Sequence, residues 1–557
     1  MNTKKIENYI RWFETITVND VPIVGGKNAS LGEMIRSLKA QGIRVPDGFA
    51  TTADAYRHFL ETNKLTVVIR QYLRQWEEGE LSLEQAGRAI RRHILHAGFP
   101  DDLAEPIQTA YHQLCQRYHT EHVDVAVRSS ATAEDLPQAS FAGQQETFLN
   151  ITGDRELLDA CRKCYASLFT DRAISYRKAQ GFDHLRIALS IGVQKMVRSD
   201  KAGAGVMFTI DTETGFPAVI VINASWGLGE NVVKGSVTPD EYMIFKPLVN
   251  TPDLTPIIQK TLGSKEKKLV YAVGGSEVTK NVDTTVEERR TLVLNDEELM
   301  HLARWACLIE KHYGRPMDIE WAKDGQTGEL FIVQARPETV QSQREAASLK
   351  TYSLKQSAET LIPLLTGLSI GEAIATGKVC LIKDISEIDQ FEDGAILVTG
   401  MTDPDWVPIM QRAAGIITDF GGRTCHAAIV SRELGVPAVV GTGAATQVLK
   451  DKQPVTLSCA EGDQGHIYDG ILEYEEHLLK LEDVPKTSTR VMMNIGDPAA
   501  AMRWWRLPCA GIGLARMEFI ISNIIKIHPM ALIHFDQLKD RGARRDRNAD
   551  QRLSRQD

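Results

Sequence analysis

The chain has 557 residues, 43% of them hydrophobic, which is enough for three or four domains with their own cores. Its 64 basic and 73 acidic side chains give a formal charge of −9, and no basic block is large enough to form a nucleic-acid tract, so no nucleic-acid partner is expected. The N-terminal MNTKKIENYIRWFE is amphipathic rather than a charged stub leading into an apolar signal core, and no apolar run approaches the roughly 18 residues of a membrane span; no membrane partner and a cytoplasmic location are expected.

The first loop that carries chemistry is VGGKNASLGEM at 24 to 34. It lacks the GxxxxGK[ST] spacing of a P-loop and taken alone reads as a turn into a helix, although Lys27 beside two glycines can reach a phosphate. The second is AVRSSATAEDLPQASFAGQQETFLN at 126 to 150, which leaves a strand through Arg128, passes Ser129, Ser130 and Thr132, and ends in Ser140, Phe141 and Gly143. A planar guanidinium backed by small hydroxyl residues suits a polyphosphate, and a solvated loop with an ordinary salt bridge is the simpler alternative. Of the eight cysteines, only Cys161 and Cys164 are close, in the helical-looking LLDACRKCYASLF, where ordinary packing is expected rather than zinc or redox chemistry. At 203 to 242, buried strand runs alternate with glycine-rich turns; WGLGE at 226 to 230 and TPD at 238 to 240 are expected to close hairpins or shape a nucleotide pocket.

The segment GRPMDIEWAKDGQTGELFIVQARPE at 314 to 338 reads as a hairpin with a turn at 324 to 328. Alternation places Asp318 and Glu320 on one face of the first strand, and Gln334 and Arg336 on one face of the second. Carboxylate and amide oxygens converging with an arginine suit Mg²⁺ bound together with nucleotide phosphates, the arginine neutralising charge that develops in transfer.

Residues 421 to 441, GGRTCHAAIVSRELGVPAVVG, set His426 between a glycine turn and the start of an apolar helix. Gly421 and Gly422 are expected to take φ > 0 and approach an anion closely, and the free N–H groups of the AAIVSREL helix start favour negative charge there. A neutral imidazole in this position can attack a phosphoanhydride and hold the phosphoryl group. An isolated GGxxxH would read as a capping loop with a structural histidine. Here the turn at Gly435 to Pro437 and the extended VPAVVG complete an ordered loop, helix, turn and strand, which favours the nucleophile.

Together, GGKNASLGEM, AVRSSATAEDLPQASFAGQQETF, DIEWAKDG with FIVQARPETV, and GGRTCHAAIVSRELGVPAVVG resemble the phosphoenolpyruvate synthase (pyruvate, water dikinase) family from about residue 8 to about residue 535. The resemblance implies an α/β multidomain chain. An ATP-grasp nucleotide-binding region covers 1–340, a linker 341–365, a swivelling phosphohistidine β/β/α domain 366–475, a linker 476–489, and the incomplete start of a β/α barrel 490–535. By the same resemblance Lys27, Arg128, Glu320, Gln334 and Arg336 fall at ATP positions, with Glu320 and Gln334 on Mg²⁺, and His426 is the phosphorylated histidine. Thr424 matches the position acted on by a regulatory kinase/phosphorylase, and Arg516 in GIGLARMEFI matches an arginine that binds pyruvate or phosphoenolpyruvate. The reaction implied is ATP, pyruvate and water giving AMP, phosphoenolpyruvate and phosphate, a gluconeogenic step, in a family expected to be homo-oligomeric. The middle domain must then swing between two sites.

A full (β/α)₈ barrel takes about 250 residues, whereas fewer than seventy follow Arg490. The charged DQLKDRGARRDRNADQRLSRQD at 536–557 is expected to be a disordered, aberrant tail of a truncated or frame-shifted chain. On that expectation VMMNI, GLARMEFIISNIIKI and MALIHF stay uncovered and pyruvate turnover is impaired, leaving an ATP-dependent phosphohistidine carrier or regulatory module as the alternative.

Overall fold

Two antiparallel sheets build the N-terminal region of the computed structural model, which describes every residue except 1–8, 133–145, 180, 273–277, 339–347, 357–360, 481–483, 485–486, 526 and 535–557. Ser140, Phe141, Gly143 and the tail 536–557 therefore lie outside the described residues. The first sheet runs in the order Ile10–Trp12, Gly48–Thr51, Leu189–Lys195, Val125–Ala131 and Thr147–Ile151, and helices such as Ala53–Thr62, Asp101–Arg117 and Asp154–Ser167 pack on it. Cys161 and Cys164 sit in the last of these helices. Burial pushes the Cys161 thiol up to about 12 and Cys164 upward as well, so both are inert packing residues, as their helical context implied.

The second sheet runs Leu330–Pro337, Met317–Lys323, Gly203–Phe208, Val219–Trp226, Asp240–Phe245 and Ile257–Thr261. Period-two alternation decides its two faces. Met207, Ile220, Ile222, Ile319 and Ile332 point to the core shared with helix Asp296–Tyr313, which buries Leu299, Leu302, Ala303, Ala306 and Ile309 against them. That helix is sharply bounded: Asn295 and Glu298 form a capping box at its start, and Gly314 closes it at φ 67°. The hairpin expected at 314 to 338 is present, whereas WGLGE and TPD are the two ends of one connection between Val219–Trp226 and Asp240–Phe245, which carries the short helix Glu230–Val233.

Residues 365–469 form a closed seven-stranded barrel in the order Leu365–Ile370, Ala438–Val440, Gly415–Thr418, Ile396–Thr399, Ile374–Leu381, Pro454–Ser458 and Gln464–Asp469. Helix His426–Leu434 packs against it, capped by Gly435 at φ 69°. The segments 341–365 and 476–489, expected to be linkers, contribute described residues to a two-stranded ribbon. Ser348–Leu354 pairs antiparallel with Tyr474–Lys480 over seven register positions, because both segments carry alternating residues able to extend and pair. Beyond them, Met493–Ile495, helix Pro498–Arg503 and Ile512–Ala515 make a parallel strand–helix–strand unit. Its Val491, Met492, Leu514, Met517 and Phe519 are exposed, as expected of these apolar segments. Among the described residues no helix is long and apolar enough to cross a membrane.

The TPD turn contains the most heavily bonded carboxylate of the second sheet's edge. Asp240 accepts from Gly263 N and Val293 N, both at 2.9 Å, from Tyr242 Oη at 3.3 Å, and from the ammonium of Lys265, with both members of the ion pair fully buried. Removing one partner strands the other charge. Lys265→Met is expected to cost about 3–5 kcal/mol of stability, read from urea unfolding, and adding Asp240→Asn to it should return part of that loss.

Candidate functional site

Arg128 projects from Val125–Ala131 across to the second sheet. Its guanidinium donates to Val333 O at 2.8 Å and to Gln334 Oε1, and lies 3.4 Å from Glu320 Oε2, while its Nε is buried with no partner among the described residues. Glu320 and Gln334 are direct cross-strand partners, as are Asp318 and Arg336, whose Nε and Nη2 donate to Asp318 Oδ2 at 2.9 and 2.8 Å. Burial raises the Asp318 carboxyl above its usual range, and Arg336 works against that shift. Lys27 lies in the helix Val21–Leu38, two residues past a break that packs on the Arg128 strand. Gly25 makes that break at φ 74° and ψ 166°, and a Cβ there would lie 2.3 Å from Ser130 Oγ, so only glycine lets this segment close on the Arg128 strand. Asn28 N then reaches Ser130 Oγ at 3.4 Å.

Glu320 and Gln334 offer one carboxylate and one amide oxygen, and both face the Arg128 guanidinium. Mg²⁺ is commonly held by one or two protein oxygens, with phosphates and water completing its octahedron, so this donor set fits a nucleotide-bound Mg²⁺ and would not fit a protein-enclosed one. Consistent with that, no cluster of three or more His, Cys, Asp or Glu able to hold a metal occurs among the described residues.

His426 opens helix His426–Leu434, with Cys425 at the N-cap, and is 9% exposed. Its Nδ1 lies 3.0 Å from Thr402 Oγ1, while Nε2 is buried with no partner among the described residues. A proton on Nδ1 donated to the threonine oxygen leaves the Nε2 lone pair free. Desolvation, assisted by the positive charge of Arg172, lowers the imidazole from its ordinary 6.5 to about 4. The ring is thus neutral at physiological pH. Gly421 has φ 119° as expected, whereas Gly422 does not reach positive φ; a Cβ there would come within 3.1 Å of the Pro239 ring, so its smallness serves close approach instead.

Pro239 belongs to the second sheet's domain, and the barrel bearing His426 is docked on that domain. Arg432 donates to Glu213 Oε1 through Nε at 3.1 Å and also through Nη2, and Gly371 N donates to Glu213 Oε2 at 3.2 Å. Arg423 reaches Glu241 Oε1 at 3.4 Å, and a Cβ on Gly235 would lie 2.2 Å from Cys425 Cβ. Arg172 crosses the same boundary to Asp405 at 3.3 Å. Glu241 lies in cross-strand register with Asn223, Val206, Glu320 and Gln334, which places it about 14 Å, three strand spacings, from Glu320 along one face.

The structure therefore joins Arg128, Glu320 and Gln334 directly, pairs Arg336 with Asp318 on the same two strands, places Lys27 in the adjoining helix Val21–Leu38, and sets His426 at a docked interface. Thr424, two residues before His426, is 2% exposed and its Oγ1 has no partner among the described residues. Arg516 is exposed at the end of Ile512–Ala515, its guanidinium 5.8 Å from the Phe519 ring, in the separate strand–helix–strand unit. Thr402, Arg172, Glu213, Arg423 and Arg432 were not singled out from sequence. Arg423 and Arg432 lay inside the 421–441 motif without being assigned a role there; the others act through partners far along the chain or sit in unremarkable turns.

The family described as pyruvate phosphate dikinase, AMP/ATP-binding domain, matches residues 21–356, and that described as PEP-utilising enzyme, mobile domain, matches residues 391–462. The chain is 54% identical over 542 residues to a phosphoenolpyruvate synthase of Synechocystis sp., covering 95% of this chain and 66% of that protein. Similar matches are those of Aquifex aeolicus, 51% identical with 97% and 64% covered, and Escherichia coli, 51% identical with 95% and 66% covered. The chain spans about two thirds of the length of these curated relatives.

Burial of the neutral ring sets a pH dependence. In the unfolded chain His426 protonates near 6.5 and in the folded chain only near 4; its contribution to stability is therefore fully present above 6.5 and is lost as pH falls from 6.5 toward 4. Nitrogen-15 NMR of the His426 ring should report a neutral, Nδ1-protonated tautomer from pH 8 to pH 5. Thr402→Val should lose that tautomer preference, since the hydrogen bond that sets it is gone.

Proposed function

Since this chain belongs to the phosphoenolpyruvate synthase family, we propose that it transfers phosphoryl groups from ATP to pyruvate through His426, in the overall reaction ATP, pyruvate and water to AMP, phosphoenolpyruvate and phosphate. The observation that carries this reading is the His426 Nε2: buried and without a partner among the described residues, on a ring that burial keeps neutral, at the first turn of a helix docked on the nucleotide-binding domain. A nucleophilic nitrogen held dry and neutral at a helix N-terminus is suited to receive an anion.

In this reading Arg128, Arg336 and Lys27 bind and orient the triphosphate, and the guanidiniums offset charge that accumulates on its oxygens. Mg²⁺ carried with the nucleotide and held by Glu320 and Gln334 would neutralise further phosphate charge. The Nε2 lone pair forms a bond to the β-phosphorus as the bond to the α-phosphate oxygen breaks, and AMP leaves with that electron pair. Nδ1 keeps its proton on Thr402. Water then releases the outer phosphate, and the remaining phosphohistidine donates to the enolate of pyruvate, a site to which Arg516 would contribute. The barrel must leave the nucleotide domain for that second step, which the ribbon Ser348–Leu354/Tyr474–Lys480 accommodates as its attachment. A cytoplasmic location and a gluconeogenic role accord with this chemistry.

Incubation with β-³²P-ATP should label the parent chain in acid-labile form, and His426→Ala should remove the label while leaving nucleotide binding nearly intact. Arg336→Ala should suppress labelling by about a hundredfold with little change in thermal midpoint; equal AMP release by variant and parent would sink its assigned role. Addition of pyruvate separates the full reaction from a carrier: phosphoenolpyruvate appears in the first case, AMP and persistent phosphohistidine in the second. A regulatory kinase/phosphorylase acting at Thr424 would add a dianion at a position with almost no exposure in the docked state. Thr424→Glu should accordingly abolish labelling from ATP, and a folded variant labelled at the parental rate would exclude that regulation.

A further inference from the structure

Arg172 lies in the first turn of helix Asp171–Ala179, in the nucleotide-binding region, and its guanidinium crosses to the barrel. Its side chain is 16% exposed, and the one carboxylate it reaches is Asp405 Oδ1 at 3.3 Å, itself 54% exposed. Its Nε is buried with no partner among the described residues. This is a poor bargain for a docking contact, because a single long ion pair to a solvated carboxylate returns little, whereas burying an N–H of a guanidinium without an acceptor is costly. The missing acceptor has an obvious place to sit. Asp405 belongs to the turn Pro404–Trp406, Asp403 Oδ1 holds that turn by accepting from Asp405 N at 2.9 Å, and Thr402 next to it touches His426 Nδ1 at 3.0 Å. Arg172 is thus anchored three residues from the group that orients the nucleophile. Its charge is felt at the ring, where it opposes protonation. Arg172 Nε and His426 Nε2 are thus two buried polar atoms without partners among the described residues, one on either side of the Thr402–Asp405 segment's contacts, one a donor and the other on the nucleophile's ring.

We propose that Arg172 is a catalytic residue for phosphorylation of His426, its guanidinium reaching from the nucleotide domain to bind the non-bridging oxygens of the phosphoryl group as it arrives on Nε2. This rests on the function proposed above and adds to it a cation that the ATP-binding motifs do not include. The arginine exchanges no proton. As the Nε2–phosphorus bond forms and the bond to the α-phosphate oxygen breaks, negative charge moves from the triphosphate site to the imidazole, and Arg172 is the cation already waiting there. Because it belongs to the nucleotide domain, it stabilises the phosphoryl group only while the barrel is docked. The completed phosphohistidine leaves it behind when the domains part.

The test is single-turnover labelling of the full chain with β-³²P-ATP, with ATP affinity and hydrogen exchange of residues 421–434 measured in parallel. Arg172→Ala should lower the labelling rate by about two to three orders of magnitude, with ATP affinity unchanged within about twofold and exchange at 421–434 as slow as in the parent. Arg172→Lys should recover only part of the rate, since an ammonium lacks the fork that serves Asp405 and a phosphoryl oxygen together. Labelling of Arg172→Ala at the parental rate overturns the proposal. So does a loss of rate matched by faster exchange at 421–434, because Arg172 would then be a docking contact alone. Absence of label from the parent chain is a different result, which overturns the phosphohistidine function itself and this inference with it.

Discussion

The register of the six-stranded sheet is the constraint on which the rest depends. With Glu320 opposite Gln334 and Val206, and Asn223 opposite Glu241, one face of the sheet is a row of polar groups and the other a row of isoleucines packed under helix Asp296–Tyr313. A slip of one residue would exchange the faces, burying Asp318 and Glu320 in the core and presenting Ile319 and Trp321 to the phosphates. The same register that stabilises the core therefore positions both ends of the polar row. Arg128 closes over one end, and Arg423, three residues before His426, meets Glu241 toward the other.

The docked interface is built from contacts that can be made and broken. Arg432 with Glu213, and Arg423 with Glu241, pair charges whose desolvation offsets much of their attraction, so they specify position more than they add affinity. Between them the backbones meet at glycines: Gly235 against Cys425, and Gly422 against Pro239. Shape at these points comes from missing side chains rather than interlocked apolar ones. Neutrality of His426 belongs to this design. A charged imidazole would have to be resolvated or paired in the docked state, whereas the neutral ring needs only Thr402.

What was legible in the sequence is local. The faces of Met317–Lys323 and Leu330–Pro337 follow from period-two alternation, and the loop, helix, turn and strand around His426 follow from Gly421, Gly435 and the apolar run between them. The packing of Cys161 and Cys164 followed from their helical surroundings. What the sequence hid is long-range or depends on geometry finer than residue type. Thr402 sits in a turn with no distinguishing pattern, and its partner is 24 residues on. Glu213 and Arg432 are 219 residues apart, and either alone reads as a solvated charge. Gly422 was read as a positive-φ glycine like its neighbour, since a glycine needed for conformation and one needed for clearance look the same in a sequence. The pairing of Ser348–Leu354 with Tyr474–Lys480 was invisible for a related reason: polar strands signal themselves weakly, and these lie on either side of an entire domain.

That pairing changes how many degrees of freedom the barrel possesses. Two independent tethers of this length would let it tumble through a broad volume, and each return to the nucleotide domain would require a three-dimensional search with loss of orientational entropy. Zipped into one antiparallel ribbon, the entering and leaving chains cannot twist past each other, and the barrel hangs from a single strap with ion pairs Lys350–Glu476 and Lys355–Glu473 along it. Its excursions are then bends at the ends of a stiff arm. On the proposed function His426 would sweep an arc rather than a sphere, and much of the entropy of finding its partner would be spent once, when the chain folds, instead of at every swing.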